Sequence, residues 1–261
     1  MKVQAIIEEL EKGYPLQAAE SWDNPGLQVG RRDKEVEKIF LALDLTEEVI
    51  RLAKEWQADL IITHHPLTRE GLKKVNTDTL IGRKMIELIQ ADICHYAMHT
   101  NFDSVTMGEL SGEFLGLQDM EVLEPFYVDE NGAPQGFGRI GSLTDSMTLW
   151  ALCEQVKERF QIETVKVFGR LTKVVQKVAI VPGSGKDFVD RAIELGADVM
   201  VSGDFGHHNG LDAVDQDLMV IDAGHYGLEH IFVDYMKVLL GKKFPELQVE
   251  TAGKQDPFTV L

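Results

Sequence analysis

Three apolar runs in this chain end in segments that carry imidazole and carboxylate side chains. The side chains that these segments offer are those of His64, His65, His99, Asp103, His225 and Glu229. Imidazole and carboxylate ligands at strand ends suit divalent transition metals such as Zn, Mn or Fe(II). The set offers enough ligands for two metal ions, so we expect the chemistry of the protein to lie there.

The pair His64 and His65 follows the apolar run 60–62 and precedes Pro66. Neighbouring side chains on an extended segment point to opposite sides. The pair could therefore serve two metal ions with one imidazole each, or one metal ion and one hydrogen-bond partner. Pro66 favours an extended conformation for His65, which would preserve that geometry. Two solvent-facing loop histidines are the alternative.

His225 and Glu229 are four positions apart, so on a helix they share one face and can reach a common ion. A helix start near Gly224 would place both in the first turn, where the helix N-terminus favours a carboxylate. An exposed surface pair is the alternative.

Asp103 would supply negative charge, because two divalent ions held only by neutral imidazoles would repel each other. His99 lies four residues earlier and is predicted to orient a ligand or to handle protons, with an ordinary buried histidine as the alternative. The segment 203–208 adds Asp204 and His208, which could bind substrate, transfer a proton or cap the helix that follows.

The composition limits the classes of function. With 26 Lys and Arg against 43 Asp and Glu among 261 residues, the formal net charge is −17. This charge repels nucleic-acid phosphates and anionic lipid head groups, so direct nucleic-acid binding is not expected. Cys94 and Cys153 form no CxxC pair, and no apolar run approaches 18 residues. These features predict a cytoplasmic protein without export signal or membrane span.

Strand-like runs alternate with amphipathic helical patterns, and this alternation predicts an α/β fold. Strands are predicted near 38–44, 59–63, 92–98, 164–168, 177–181, 198–202 and 218–222, and helices near 2–12, 46–56, 77–90, 106–117, 144–160, 185–195, 206–214 and 225–240. The turn-rich segment 119–142 breaks this rhythm. We therefore predict an N-terminal α/β lobe over 1–123, completed by 241–261, and a C-terminal α/β lobe over 124–240.

An internal repeat indicates that the two lobes are similar. After a shift of 139 positions, 38–42 aligns with 177–181, and 58–63 aligns with 197–202 without a gap. The general likeness of any two βαβ units is the alternative to duplication. Duplicated βαβ units predict two intertwined lobes, layered α/β/α, and ligands of such sheets gather at the carboxyl ends of strands. We expect the metal site in the cleft between the lobes.

Together, these motifs resemble the Nif-three-like family, whose members are called GTP cyclohydrolase 1 type 2 homologues. The segments that carry the resemblance are His64–Pro66, Asp103, Gly224–Glu229, Trp22–Gly30, Gly138–Gly141 and Gly203–His208. The resemblance runs from about Trp22 to the C-terminus. It implies a dinuclear metal site whose ligands are His64, His65, Asp103, His225 and Glu229. It also implies that Glu229 bridges the ions, and that the protein is a toroidal homohexamer of the short form, without an inserted domain.

The expected function is that of a metal-dependent hydrolase with two divalent ions, Zn, Mn or Fe, that activate a water molecule. The substrate would be a small nucleotide-like or heterocyclic molecule, and the resemblance implies a reaction like that of GTP cyclohydrolase type 2. His99 and His208 are the candidate catalytic residues for proton transfer. A non-enzymatic metal-binding, scaffold or regulatory protein is the alternative from another class.

Overall fold

A computed structural model describes residues 1–254 and 256–260 and divides them into two compact units. The first unit consists of residues 1–102 and 232–254, and the second of residues 103–231 and 256–260. Each unit contains one β-sheet and its own helices. The mixed α/β fold with two similar sheets predicted from the sequence is therefore confirmed.

Helices and strands alternate along most of the chain. In chain order they are α1 (Val3–Gly13), β1 (Gly26–Val29), β2 (Lys38–Ala42), α2 (Glu47–Glu55), β3 (Leu60–Thr63), α3 (Leu80–Gln90), β4 (Cys94–Ala97), α4 (Thr100–Phe102), a π-helical turn (Asp103–Met107), α5 (Gly108–Leu115), β5 (Gln118–Val128), β6 (Pro134–Thr148), α6 (Leu149–Phe160), β7 (Lys166–Phe168), β8 (Val174–Ser184), α7 (Val189–Glu194), β9 (Val199–Gly203), α8 (His207–Asp215), β10 (Met219–Asp222), α9 (His225–Glu229), α10 (Ile231–Lys243) and β11 (Gln248–Thr251).

The first unit has a sheet in the strand order β1-β4-β3-β2-β11. Strands β11, β2, β3 and β4 are parallel, and every residue of β3 and β4 is buried, as continuous apolar runs in parallel sheets require. The segment 24–30 has the composition of a turn, but Gly26–Val29 pairs antiparallel with β4. This pairing is long-range, so local composition does not reveal it.

Helix α2 shows why the predicted helices form. Thr46 precedes it, and its Oγ1 accepts a hydrogen bond from the backbone N–H of Val49 at 3.0 Å. Its apolar face carries Val49, Ile50 and Ala53 into the same buried cluster as Phe40 of the first sheet. Capping therefore sets where α2 begins, and burial of its apolar face stabilises it against the sheet.

The second unit has a sheet in the strand order β5-β6-β8-β9-β10-β7, of which β8, β9 and β10 are parallel. The turn-rich residues of the segment 119–142 form a hairpin between β5 and β6. At its tip, Oδ1 of Asp129 accepts hydrogen bonds from the backbone N–H groups of Asn131 and Ala133, both at 2.9 Å. The boundary predicted after residue 123 lies inside β5, because these turn formers reverse a strand.

Two predicted helices have different bounds. The helix expected over 144–160 begins at Leu149, because β6 continues to Thr148, and Thr148 caps the helix through Oγ1 and the N–H of Ala151 at 3.2 Å. The helix expected over 225–240 is two helices, α9 and α10, which are separated at His230.

The predicted repeat extends to the backbone pairing of the two sheets. Ile39 pairs with Leu60 between β2 and β3, and the residues 139 positions later, Val178 and Val199, pair between β8 and β9. The parallel pairs of the two units therefore share one register.

Two aspartates related by the same shift make equivalent contacts. Oδ2 of Asp59, just before β3, accepts hydrogen bonds from the backbone N–H groups of residues 37 and 38, at 2.8 and 3.1 Å. Oδ2 of Asp198, just before β9, accepts hydrogen bonds from those of residues 176 and 177, both at 2.9 Å. Each aspartate thus joins the start of its strand to the neighbouring strand.

Within the described part of the chain, none of the helices combines the length and the apolar character that crossing a bilayer requires.

Candidate metal centre

The segment that follows β3 is held by a buried threonine and a buried histidine. The hydroxyl of Thr63 donates to the carbonyl oxygen of His65 at 2.7 Å and lies 2.8 Å from Nε2 of His95. Because the hydroxyl has one hydrogen, Nε2–H of His95 must be the donor to Thr63. Burial lowers the pKa of His95 to about 3, so its ring is neutral at neutral pH. These contacts fix the backbone at His65.

The imidazoles of His64 and His65 are each anchored through Nδ1. Nδ1 of His64 lies 2.7 Å from the carbonyl oxygen of Met98, and Nδ1 of His65 lies 2.7 Å from Oδ1 of Asp44. Both oxygens are acceptors, so both Nδ1 atoms carry hydrogen when the rings are neutral. In this arrangement the lone pair of each neutral ring lies on Nε2, and such oxygen partners at Nδ1 are common in metal-binding histidines.

His99 is anchored in the same way, by Asp23. Its Nδ1 lies 2.8 Å from Oδ1 of Asp23, and Thr100 donates to Oδ2 through its backbone N–H and its hydroxyl. Burial raises the pKa of the Asp23 carboxyl, but the hydrogen bonds from His99 and Thr100 outweigh burial and lower the pKa to about 2. Asp23 is therefore ionised at neutral pH and acts only as an acceptor.

The three imidazoles of the first unit converge. One ring nitrogen from each of His64, His65 and His99 lies within 4.8 Å of those of the other two. The ring centroid of His99 is 5.2 Å from that of His64 and 5.4 Å from that of His65. Because their Nδ1 atoms are occupied by oxygen partners, the Nε2 atoms supply the convergent lone pairs. The donor set of this unit fits a divalent transition metal.

Two carboxylates of this unit are not predicted from the sequence. Asp23 is 76 residues from His99, and Asp44 is 21 residues from His65. No local spacing predicts such pairs. The signal for Asp23 is its place in the Trp22–Gly30 motif, whose residue types by themselves indicate a turn and no catalytic chemistry.

In the second unit, α9 brings His225 and Glu229 together, as their four-residue spacing predicts. Nε2 of His225 lies 2.9 Å from Oε2 of Glu229, and its Nδ1 lies 2.8 Å from Oδ2 of Asp204. Asp204 is therefore the carboxylate partner of Nδ1 in His225, as Asp44 is in His65. The side chain of Glu229 is 4 % exposed, whereas that of His225 is 34 % exposed.

Asp103 contributes a second carboxylate in this unit. It begins the π-helical turn between α4 and α5, and such turns are frequent at functional sites because they re-aim a side chain. One carboxylate oxygen of Asp103 lies within 4.8 Å of one of Glu229. Glu229 thus approaches both Asp103 and His225, which suits a carboxylate shared by two metal ions.

His208 has different surroundings from those of Asp103 and Glu229. It is exposed in the first turn of α8, and its ring contacts that of His207 at a centroid distance of 5.1 Å. Among the residues that the structure describes in this unit, no hydrogen bond or ion pair joins His208 to His225 or Glu229. The structure therefore brings Asp204, and not His208, to the predicted ligands.

Known proteins are similar to this chain over most of its length. The Duf34/NIF3 family (NGG1p interacting factor 3) matches residues 1–257. The chain is 42 % identical over 231 residues to a GTP cyclohydrolase 1 type 2 homolog of Clostridium perfringens, covering 88 % of this chain and 87 % of that protein. It is 32 % identical over 259 residues to the homolog of Campylobacter jejuni, covering 99 % of both.

Solved structures show the same fold. The crystal structure of a Bacillus cereus protein related to NIF3 superposes with a TM-score of 0.90 at 26 % identity and covers 100 % of this chain and 99 % of its own. The match of the family over nearly the whole length, the identity to its members and this shared fold lead to one conclusion. The chain belongs to the Duf34/NIF3 family.

Proposed function

We propose that this protein is a cytoplasmic metal-dependent hydrolase that acts on a small nucleotide-like or heterocyclic substrate. Its two divalent ions would be held by His64, His65, Asp103, His225 and Glu229, with Glu229 as the shared ligand. The observation that carries the proposal is the anchoring of the imidazoles. Nδ1 of His64, His65 and His225 each lies within hydrogen-bond distance of an oxygen atom, an arrangement that is common among metal-binding histidines.

Chain connectivity supports a combined site. The chain leaves the first unit after Phe102 and re-enters it at Phe232. Inside that unit, the ring centroids of Phe102 and Phe232 are 4.9 Å apart, and the ring centroid of Phe232 is 5.1 Å from that of His64. Asp103 follows Phe102 directly, and Glu229 precedes Phe232 by three residues. Asp103 and Glu229 are thus close in sequence to two aromatic residues of the first unit.

Each residue has a defined task in this proposal. Bound divalent ions would lower the pKa of a water ligand towards about 7 and polarise the substrate. Asp103 and Glu229 supply the negative charge that two cations need. Asp44 and Asp204 orient His65 and His225. His99 is the residue to which we assign proton transfer, and His208 stays a candidate for contact with substrate.

The test joins metal content to turnover. Protein loaded with Zn, Mn or Fe(II) would be assayed against a panel of nucleotides, together with the His65→Ala variant. We expect turnover of at least one nucleotide by the wild type and a loss of at least 100-fold in the variant. His207→Ala is the matched control, because it removes an exposed imidazole. Equal rates for wild type and His65→Ala would rule the proposal out.

A metal-binding scaffold without catalytic activity is the second candidate. The burial of Glu229 and His64 favours it, because a closed site leaves no position for substrate. The partial exposure of His65 and His225, 20 % and 34 %, favours the hydrolase. Exchange of a coordinated water, measured by relaxation of solvent protons on the Mn-loaded protein, separates the two: no exchangeable water favours the scaffold.

We also propose a homohexamer, as the family resemblance implies. Sedimentation equilibrium of the full chain would show a mass six times that of the chain, which is 29.2 kDa. A concentration-independent monomer would contradict the proposal.

A further inference from the structure

The carboxylate of Asp23 is fully used by its neighbours. Its side chain has no exposed surface. Oδ1 faces Nδ1 of His99 at 2.8 Å and accepts from the backbone N–H of Asn24 at 2.8 Å. Oδ2 accepts from the N–H and the hydroxyl of Thr100 at 3.0 and 2.5 Å. The hydroxyl of Thr100 in turn accepts from the backbone N–H of Glu20 at 2.9 Å, so its own hydrogen points to Asp23.

This network determines which nitrogen of His99 carries hydrogen. An ionised carboxylate only accepts hydrogen bonds, so Nδ1 of His99 must donate. A neutral ring then has its lone pair on Nε2. The ring of Trp22 meets that of His99 edge-on at a centroid distance of 6.0 Å. Oδ1 of Asn101 accepts from the backbone N–H of His99 at 3.0 Å, which holds the backbone at this residue.

We infer that Asp23 is a positioning residue, whose carboxylate holds the Nδ1 hydrogen of His99 and keeps the Nε2 lone pair facing the imidazoles of His64 and His65. The use of that lone pair rests on the proposed function. As the oxygen of the attacking water bonds to the electrophile of the substrate, its O–H bond breaks and the proton passes to Nε2 of His99. The bond between the electrophile and the leaving group then breaks, the leaving group keeps the electron pair and takes the proton from His99, and Asp23 stabilises the imidazolium in between.

The substitution Asp23→Asn tests this inference, because it changes few atoms, reverses the hydrogen bond to His99 and removes only the one from the backbone N–H of Asn24. Two donors of Thr100 face the Oδ2 position, whereas the backbone N–H of Asn24 is the one fixed donor at Oδ1, so we expect the amide oxygen of the new residue at the Oδ2 position. The amide NH₂ then faces Nδ1 of His99, which must accept. The ring changes to the tautomer with hydrogen on Nε2, and the lone pair no longer faces His64 and His65.

The first readout is the tautomer of His99 in metal-free full-length protein. Long-range ¹H–¹⁵N spectra at about pH 8.5, two units above the ordinary histidine pKa of about 6.5, show which ring nitrogen carries hydrogen. His99→Asn identifies the signal among those of the eight histidines. We expect hydrogen on Nδ1 in the wild type and on Nε2 in Asp23→Asn. Asp44→Asn, the same change beside His65, should leave His99 unaltered.

Hydrogen on Nε2 of His99 in the wild type would overturn the inference, and this result needs no variant to fold. An unchanged tautomer in folded Asp23→Asn would also overturn it. The second readout is metal affinity, measured by competition with a chromophoric chelator for Zn. A proton acceptor is not a ligand, so His99→Asn should keep the Kd for Zn within twofold. A rise of tenfold or more would make His99 a ligand and overturn its assignment.

The third readout is turnover of the nucleotide found for the wild type. We expect Asp23→Asn to lower kcat by at least 100-fold with KM changed less than threefold, because the loss affects proton transfer and not substrate binding. An unchanged kcat with a reversed tautomer would overturn the proton-acceptor role. If the wild type turns over no nucleotide, the proposed function fails, while the tautomer result still decides whether Asp23 positions His99.

Discussion

Gly183 lies against the carboxylate of Glu229 so closely that a Cβ atom at position 183 would overlap Oε1. Gly183 also adopts a φ of +74°, in the left-handed region that favours glycine. It lies near the end of β8, 46 residues before Glu229. The absence of a side chain at 183 therefore leaves the space in which the proposed shared ligand lies.

Gly183→Ala should weaken metal binding and destabilise the protein. The backbone conformation costs about 1 kcal/mol for a residue with a Cβ, and relief of the overlap costs about a further 1–3 kcal/mol. Because relief moves Glu229, we expect the Kd for Zn to rise at least tenfold. Chelator competition gives the Kd, and urea unfolding gives the stability.

Gly196→Ala is the matched control for this substitution. Gly196 has the same φ of +74°, but a Cβ there would have no atom within 4 Å. Gly196→Ala should lower the free energy of unfolding by about 1 kcal/mol, through the backbone conformation alone, and leave the Kd for Zn unchanged. Equal Kd values for the two alanine variants would show that the space at 183 does not position Glu229.

Asp44 should tune the affinity of His65 for metal. Asp44→Asn replaces the carboxylate 2.7 Å from Nδ1 of His65 with a neutral amide. Loss of such a partner commonly weakens metal binding by about 10–100-fold. Calorimetric titration with Zn would measure the change. Asp33→Asn removes the same charge from a side chain that is 79 % exposed, and it should change the Kd less than twofold.

His95 should make the metal-free protein sensitive to acid. Burial lowers its pKa from 6.5 to about 3, so the unfolded chain binds a proton at pH values where the folded chain does not. The free energy of unfolding therefore falls as the pH drops from 6.5 towards 3. Between pH 7 and pH 5, the wild type should lose about 2 kcal/mol more than His95→Phe, which has no ring proton to bind.

Urea unfolding in the presence of a chelator at pH 5, 6 and 7 would measure this difference. His207→Phe is the control, because the residue is exposed, and its pH dependence should match that of the wild type. If the free energy of unfolding depends on pH equally in the wild type and His95→Phe, the buried ring is not the cause of the acid sensitivity.

The repeated aspartates should contribute alike to the two units. Asp59→Ala and Asp198→Ala each leave two backbone N–H groups without their carboxylate acceptor. Each should lower the free energy of unfolding by about 1–2 kcal/mol. Hydrogen exchange of residues 37–38 and 176–177 would report each loss locally. A large loss of stability at one position and none at the other would show that the two repeated aspartates do not contribute equally to the free energy of unfolding.

The sequence by itself determined the features that depend on local pattern. The apolar runs before His64 and after residue 197 predict buried parallel strands, because burial on both faces requires continuous apolar residues. The spacing of His225 and Glu229 predicts their contact, because a helix brings residues four apart to one face. The shift of 139 positions predicts the common register of the two sheets.

Only the tertiary structure decided which distant groups meet. Asp23 reaches His99 across 76 residues, and Asp44 reaches His65 across 21. Gly183 leaves its space for Glu229 through the end of a neighbouring strand. Periodicity describes one element at a time, whereas these contacts depend on strand order and on the close packing of elements that are remote in the chain. For the same reason, the turn formers near Asp129 could not be recognised in advance as a hairpin within one unit.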